Sequence, residues 1–157
     1  MIFLLIVFGI FLSDYLIKEY VLKNCREGEK SELFGGRVIL RNFRNSGFAM
    51  SAFQKHPNLV KKAAAAVNAG IAAFFACGLF HPGNSIKKLS LAMIIGGGLS
   101  NLYDRWKRGY VVDYVSFRTK WKKLTSLVFN ISDFFIIGGS VLYCISQIIG
   151  SGKIRAD

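Results

Sequence analysis

Two aspartates stand where they could do chemistry together: Asp113 in "GYVVDYVSF" and Asp133 in "FNISDFF". Each is flanked by apolar residues, and each has polar company nearby. Asn101, Asp104 and Arg105 fall at i, i+3 and i+4, the spacing that places side chains on one face of a helix. Asn130 and Asp133 stand at i, i+3, and Asp14 and Lys18 at i, i+4, close enough to pair. Two carboxylates crowded into a low-dielectric pocket cannot both ionise easily and so share a proton. One can then act as base toward a water and the other as acid toward a carbonyl. That is the chemistry of an aspartic peptidase. Asn101 and Asn130 can donate hydrogen bonds to the carboxylates or to a substrate backbone, and Arg105 is expected to lock Asp104 in a bidentate pair.

The elements that must position these groups are apolar. The chain has 157 residues, 52% of them hydrophobic, and a mean hydropathy of +0.37, more than an ordinary soluble domain carries. Four apolar segments are expected to span a membrane, at about 1–22, 63–80, 89–105 and 124–149. The first lacks the basic start and small-residue cleavage site of a removable signal peptide and is expected to be retained. An ionisable group at the centre of a span costs roughly 2.5–3.5 kcal/mol, so such groups usually face the protein interior and serve a function. Segments three and four share one connecting loop, so the end of one and the start of the other lie at the same membrane surface. That brings Asp113 toward Asp133. Gly96, Gly97 and Gly98 allow a helix or peptide to approach the backbone closely. Between the first two spans, "RVILRNFRNSGFAMSAF" reads as short strands and turns, a small sheet on the membrane surface. The 106–123 link holds two tryptophans and six basic residues, which suits the headgroup layer.

A net charge of +12 would suggest nucleic acid in a polar protein. Here the Lys and Arg residues lie between apolar runs, where phospholipid headgroups and topology account for them, and nucleic acid is set aside. Cys25, Cys77 and Cys144 show no CxxC spacing and give neither a disulfide framework nor a zinc site. His56 and His81 have no partner at ligand spacing, and no metal is expected. Ser13 and Lys18 point to different faces, which argues against a Ser/Lys peptidase. The stretch 23–62 holds nine Lys or Arg and 104–126 holds seven, so loop charge alone puts both large loops in the cytoplasm.

The set "D14xxxK18", "N45SGFAM", "GGGLSNLYDRWKRGYVVDY" and "FNISDF" resembles, in order and over nearly the whole chain, the lipoprotein signal peptidases (signal peptidase II). The resemblance implies one membrane all-α domain over 1–157: four transmembrane helices with a small extracytoplasmic β-cradle and a short interfacial helix. It implies an endopeptidase of the bacterial cytoplasmic membrane, without cofactor, that cleaves diacylglyceryl-modified prolipoproteins just before the lipidated cysteine. Asp113 and Asp133 match the catalytic dyad. Asn101, Asp104 and Arg105 match one motif and Asn130 another, while Asn45, Gly47, Asp14 and Lys18 match supporting and substrate-binding positions. A monomer and lipid-modified substrates follow from the same likeness. Four positions depart from the family pattern: Phe48 and Met50 in the 47–50 loop, Ser100 where a glycine is usual, and Ser132 beside Asp133. The resemblance also puts the loops at 23–62 and 106–123 outside the cell, against the charge count. A different class of function, a small transporter or ion-path subunit, would use Asp14, Lys18, Asp104, Arg105 and Asp133 as a conduction path. It calls for polar residues through the full depth of several spans, with inverted repeats. The sequence instead clusters them toward one surface, with no repeat. A non-enzymatic membrane scaffold would leave the clustered Asp and Asn residues without purpose.

Overall fold

A computed structural model describes residues 1–47, 53, 55–80, 83 and 85–154. Four long helices are α1 (Ile2–Asn24), α2 (Pro57–Leu79), α3 (Ser85–Lys107) and α5 (Ile131–Ile154), and α4 (Lys122–Thr125) is a single turn. Three strands, β1 (Lys30–Leu33), β2 (Val38–Asn45) and β3 (Val111–Phe117), form one antiparallel sheet in the order β1-β2-β3.

Helix α1 reverses the pattern of a soluble amphipathic helix. Its buried stripe reads Ile10, Asp14, Lys18 and Val21, whereas Leu5, Phe8, Leu12 and Leu16 face outward. Charge inside and apolar residues outside suit a helix surrounded by lipid. α2 and the 131–149 part of α5 are long and apolar enough to cross a membrane by composition alone. α1 and α3 carry the ionisable residues.

α3 is the central element and packs against α1, α2 and α5. Its three consecutive glycines explain how. Successive helical residues point about 100° apart, and each glycine meets a different neighbour. A Cβ on Gly96 would lie 2.9 Å from Ile10 of α1, one on Gly97 2.5 Å from the Ser132 carbonyl oxygen of α5, and one on Gly98 2.1 Å from Asn68 of α2. Among lipids, apolar burial contributes little to helix association, so backbone approach and interhelical hydrogen bonds carry it. Apolar packing completes the fold around Phe75, Leu91, Ala92 and Ile95 between α2 and α3, and around Val21, Val112 and Tyr114 where α1 meets β3.

Two helix starts differ most from the expected segments. α2 starts at Pro57 rather than 63, with proline in the first turn, where its missing N–H is not needed. The fourth helix starts at Ile131 rather than 124. The apolar run from Leu127 to Phe129 is extended instead, and Phe129 exchanges backbone hydrogen bonds with Val115 of β3. Asn130 then stops the extended chain by capping the helix. Its Oδ1 accepts from the Asp133 N–H at 3.0 Å while Asp133 Oδ2 accepts from the Asn130 N–H at 3.0 Å, a reciprocal capping box.

Candidate active site

Asp113 comes from the middle of β3, paired with Phe43 of β2 and 3% exposed. Asp133 comes from the first turn of α5, held there by the capping box. One side chain links them: Asn130 Nδ2 donates to Asp113 Oδ1 at 2.7 Å while its backbone N–H serves Asp133. The remaining oxygens are also served by amides. Asn45 Nδ2 donates to Asp113 Oδ2 at 3.0 Å, and Asn101 Nδ2 donates to Asp133 Oδ1 at 3.0 Å. Among the described residues neither carboxylate forms an ion pair. Burial, together with the charge of Asp133, therefore pushes the Asp113 carboxyl from 3.8 up to about 7, against the opposing bonds from Asn45 and Asn130.

Both aspartates line a cavity of about 860 Å³. Its polar end is formed by Asn45, Asn101, Arg105, Asp113 and Asp133. Its other end runs between α2 and α5, along Val67, Ile71, Ile94, Ile136 and Ile137. A ligand matching both ends is amphipathic: a backbone to be cut and an apolar segment to be held.

Asp14, Lys18 and Asp104 occupy a second cluster behind the first. Lys18 Nζ lies 2.7 Å from Asp14 Oδ2 and 3.0 Å from Asp104 Oδ2, and all three residues are at most 1% exposed. Asp104 Oδ1 pairs with Arg108, which also pairs with Glu19. Asp104 Oδ2 further accepts from the Val112 N–H at 3.1 Å, tying the end of α3 to β3. The expected pair between Arg105 and Asp104 does not form. Neighbouring helical side chains diverge, so Arg105 turns to the cavity side, where it donates to the Asn101 and Gly47 carbonyl oxygens at 3.2 and 2.9 Å. Gly47 is held in turn by its N–H donating to Asn45 Oδ1 at 3.0 Å. All ten singled-out residues thus fall into two adjoining clusters. Phe48 and Met50 lie outside the described residues. Ser13, discounted as a nucleophile, bonds its own helix at the Gly9 carbonyl.

Sequence reasoning missed three contributors. Arg108 was detectable by its i, i+4 spacing from Asp104. Tyr114 donates to Asp14 Oδ1 at 2.9 Å and accepts from the Ile131 N–H at 3.0 Å, joining α1 to the start of α5. No local spacing signals that role. Asn68, which lines the cavity from α2, was passed over as one polar residue in an apolar run.

Comparisons with known proteins give the family and the fold. The family model of signal peptidase (SPase) II matches residues 6–149. A lipoprotein signal peptidase of Clostridioides difficile is 31% identical over 160 residues, covering 99% of this chain and 100% of the relative. That of Fusobacterium nucleatum is 29% identical over 155 residues, covering 99% and 91%. Among solved structures, a bacterial membrane enzyme determined by the in meso method superposes with a TM-score of 0.83 at 18% identity, covering 96% of this chain and 90% of that one. A second such enzyme gives 0.75 at 19% identity, covering 92% and 91%. These likenesses give the fold.

Proposed function

The chain belongs to the signal peptidase II family, and from that premise we propose that it is a membrane aspartic endopeptidase that removes the signal peptide from diacylglyceryl-modified prolipoproteins, cutting just before the lipidated cysteine. The observation that carries the reading is the pair Asp113 and Asp133: one buried and one half-buried carboxylate on one cavity, hydrogen-bonded by neutral amides. Asp113, which holds its proton near neutrality, is the acid, and Asp133 the base. Asp133 takes a proton from water as the water oxygen attacks the scissile carbonyl carbon, and Asp113 protonates the carbonyl oxygen. As the tetrahedral diol collapses and the C–N bond breaks, Asp133 passes its proton to the departing amine nitrogen and Asp113 regains a proton from a diol hydroxyl. General acid and base steps of this kind contribute about 10²–10⁴-fold each.

Asn45, Asn101 and Asn130 orient the dyad, Arg105 holds Gly47 at the cavity rim, and Asp14, Lys18 and Asp104 brace the frame. Residues 1–157 form one domain that crosses the bacterial cytoplasmic membrane four times as a monomer. The site sits near the extracytoplasmic surface, and the basic loops lie against phospholipid headgroups. The end of α1, the end of α3 and the start of α5 all converge on the dyad, which supports one polar surface rather than a conducting path. The apolar end of the cavity between α2 and α5 suits a lipid-linked chain arriving from the side.

The test uses purified protein in detergent micelles with a precursor peptide carrying or lacking the diacylglyceryl group, read by mass spectrometry. Cleavage before the modified cysteine, and not in the unmodified peptide, is expected. Equal cleavage of both, or of neither, would overturn the substrate assignment. A reporter fused at the C-terminus is expected to read as cytoplasmic; an external C-terminus would reverse the orientation.

A further inference from the structure

Lys18 uses its three N–H bonds unevenly. Two go to the carboxylates that balance its charge, Asp14 Oδ2 at 2.7 Å and Asp104 Oδ2 at 3.0 Å. The third goes to a neutral acceptor, Asn101 Oδ1, at 2.8 Å. Ser100 Oγ, at 3.2 Å, is the more distant neighbour. A primary ammonium has three donors, so this one is saturated, and one of its three bonds leaves the structural cluster for the site.

The two ends of an asparagine amide are alike in shape and opposite in hydrogen bonding. Asn101 Oδ1 accepts from Lys18 and, at 3.1 Å, from Asn130 Nδ2, while Asn101 Nδ2 donates to Asp133 Oδ1. Flipping the amide would set NH₂ against an ammonium and a carbonyl oxygen against a carboxylate. The charged bond from Lys18 is the strongest force against that flip, and it also polarises the amide toward Asp133. We propose that Lys18 is a positioning residue for the reaction: its ammonium fixes which way the Asn101 amide faces and so aims an N–H at Asp133. This rests on the peptidase reading above and adds the part played by the cluster behind the dyad.

The anchoring of Lys18 gives the two departures at Ser100 and Ser132 a purpose. Both hydroxyls donate to Asp14 Oδ2 at 2.6 Å, and Tyr114 donates to Oδ1. One carboxylate of α1 is therefore gripped by α3, α5 and β3 at once. Lys18 cannot shift without dragging Asp14 through four bonds. The line runs from the serines to Asp14, from Asp14 to Lys18, from Lys18 to Asn101, and from Asn101 to Asp133.

A double-mutant cycle on cleavage of the diacylglyceryl peptide tests it, with Lys18→Met, Asn101→Leu and the double variant. Loss of one charged hydrogen bond corresponds to about 10–100-fold. Each single variant is expected to lower kcat by about that factor with KM within about threefold of the unaltered protein. The double variant is expected to fall no further than the worse single, because both remove the same bond line. Losses that multiply, or a Lys18 variant with unchanged kcat, overturn the proposal. Because Lys18→Met alone leaves two buried carboxylates short of a cation, at a cost to folding, the charge-balanced pair Lys18→Met with Asp14→Asn runs alongside in both Asn101 backgrounds under the same criteria. A purely structural role would lower the melting temperature and leave the cycle multiplicative. If the unaltered protein fails to cleave, the peptidase reading falls and this inference with it; if it cleaves and the cycle multiplies, this inference alone falls.

Discussion

The protein gathers two pairs of aspartates into adjoining clusters, and treats them in opposite ways. Asp14 and Asp104 are matched by Lys18 and Arg108 and are woven into four elements by Ser100, Ser132, Tyr114 and the Val112 N–H. Asp113 and Asp133 receive amide hydrogen bonds and no ion pair among the described residues. The first pair is held by direct ion pairs away from the cavity lining; the second has no direct ion pair and faces the cavity, with Arg105 beside it. Burial alone does not mark a catalytic acid. What sets the second pair apart is the lack of a direct ion pair among the described residues, beside a space that both carboxylates line.

The comparison is broken most forcefully by swapping the consequences of substitution. Asp113→Asn is expected to lower the cleavage rate by about 10³-fold or more, on the scale of losing one member of an acid–base pair. Its melting temperature is expected to hold or rise, since one of two unbalanced carboxylates is removed. Asp104→Ala is expected to show the reverse emphasis, destabilising by about 3–5 kcal/mol as Lys18 and Arg108 lose a buried partner. Thermal denaturation in detergent, run beside the cleavage assay, separates the two.

A pH titration sharpens the difference further. The folded Asp113 carboxyl holds its proton up to about 7, against 3.8 ordinarily. Between those values the folded state binds more protons than the unfolded chain. Stability from this group is therefore full below 3.8, declines as pH rises through about 7, and is lost above it. Cleavage is expected to fall about tenfold per pH unit above that point as the acid loses its proton. Asp133→Asn removes a neighbouring charge that helps raise Asp113, so the stability decline in that variant is expected to be complete at lower pH.

Smaller effects come from the frame. Gly97→Ala places a methyl 2.5 Å from the Ser132 carbonyl oxygen, so α3 and α5 must part. A loss of about 1–3 kcal/mol is expected, with cleavage impaired through Asp133 on the moved helix. The exposed pair Arg44 and Glu27, at 3.2 Å with side chains 46% and 58% exposed, marks the other end of the scale. Glu27→Gln is expected to change stability by less than about 1 kcal/mol and leave cleavage untouched.

How much of this was legible in the sequence follows from which contacts are local. The pairings of Asn130 with Asp133 and of Asp14 with Lys18 lie within one helical turn, and spacing alone exposes them. The convergence of Asp113 on Asp133 was readable because one short link forces two helix ends together. Strand β3 was not. Val111, Val112, Asp113 and Tyr114 are all buried, so the run shows no alternation of apolar and polar residues to signal a strand. The extended segment ending at Phe129 was taken into the fourth helix for a similar reason, since its residues are apolar and only the pairing with Val115 decides its form. Arg105 was assigned to its sequence neighbour Asp104, but it donates instead to carbonyls on α3 and just past the end of β2, a choice made by tertiary packing. Ser100 and Ser132 stood out only as departures. Their shared acceptor, Asp14, is more than 80 residues away in sequence.

The central claim is that the unbalanced pair, not the balanced one, performs the hydrolysis. It is tested most directly by measuring kcat and KM of Asp133→Asn on the diacylglyceryl-modified precursor, beside the unaltered protein in the same micelles. A fall in kcat of about 10³-fold or more with KM nearly unchanged is expected. Cleavage within about tenfold of the unaltered protein would contradict the claim.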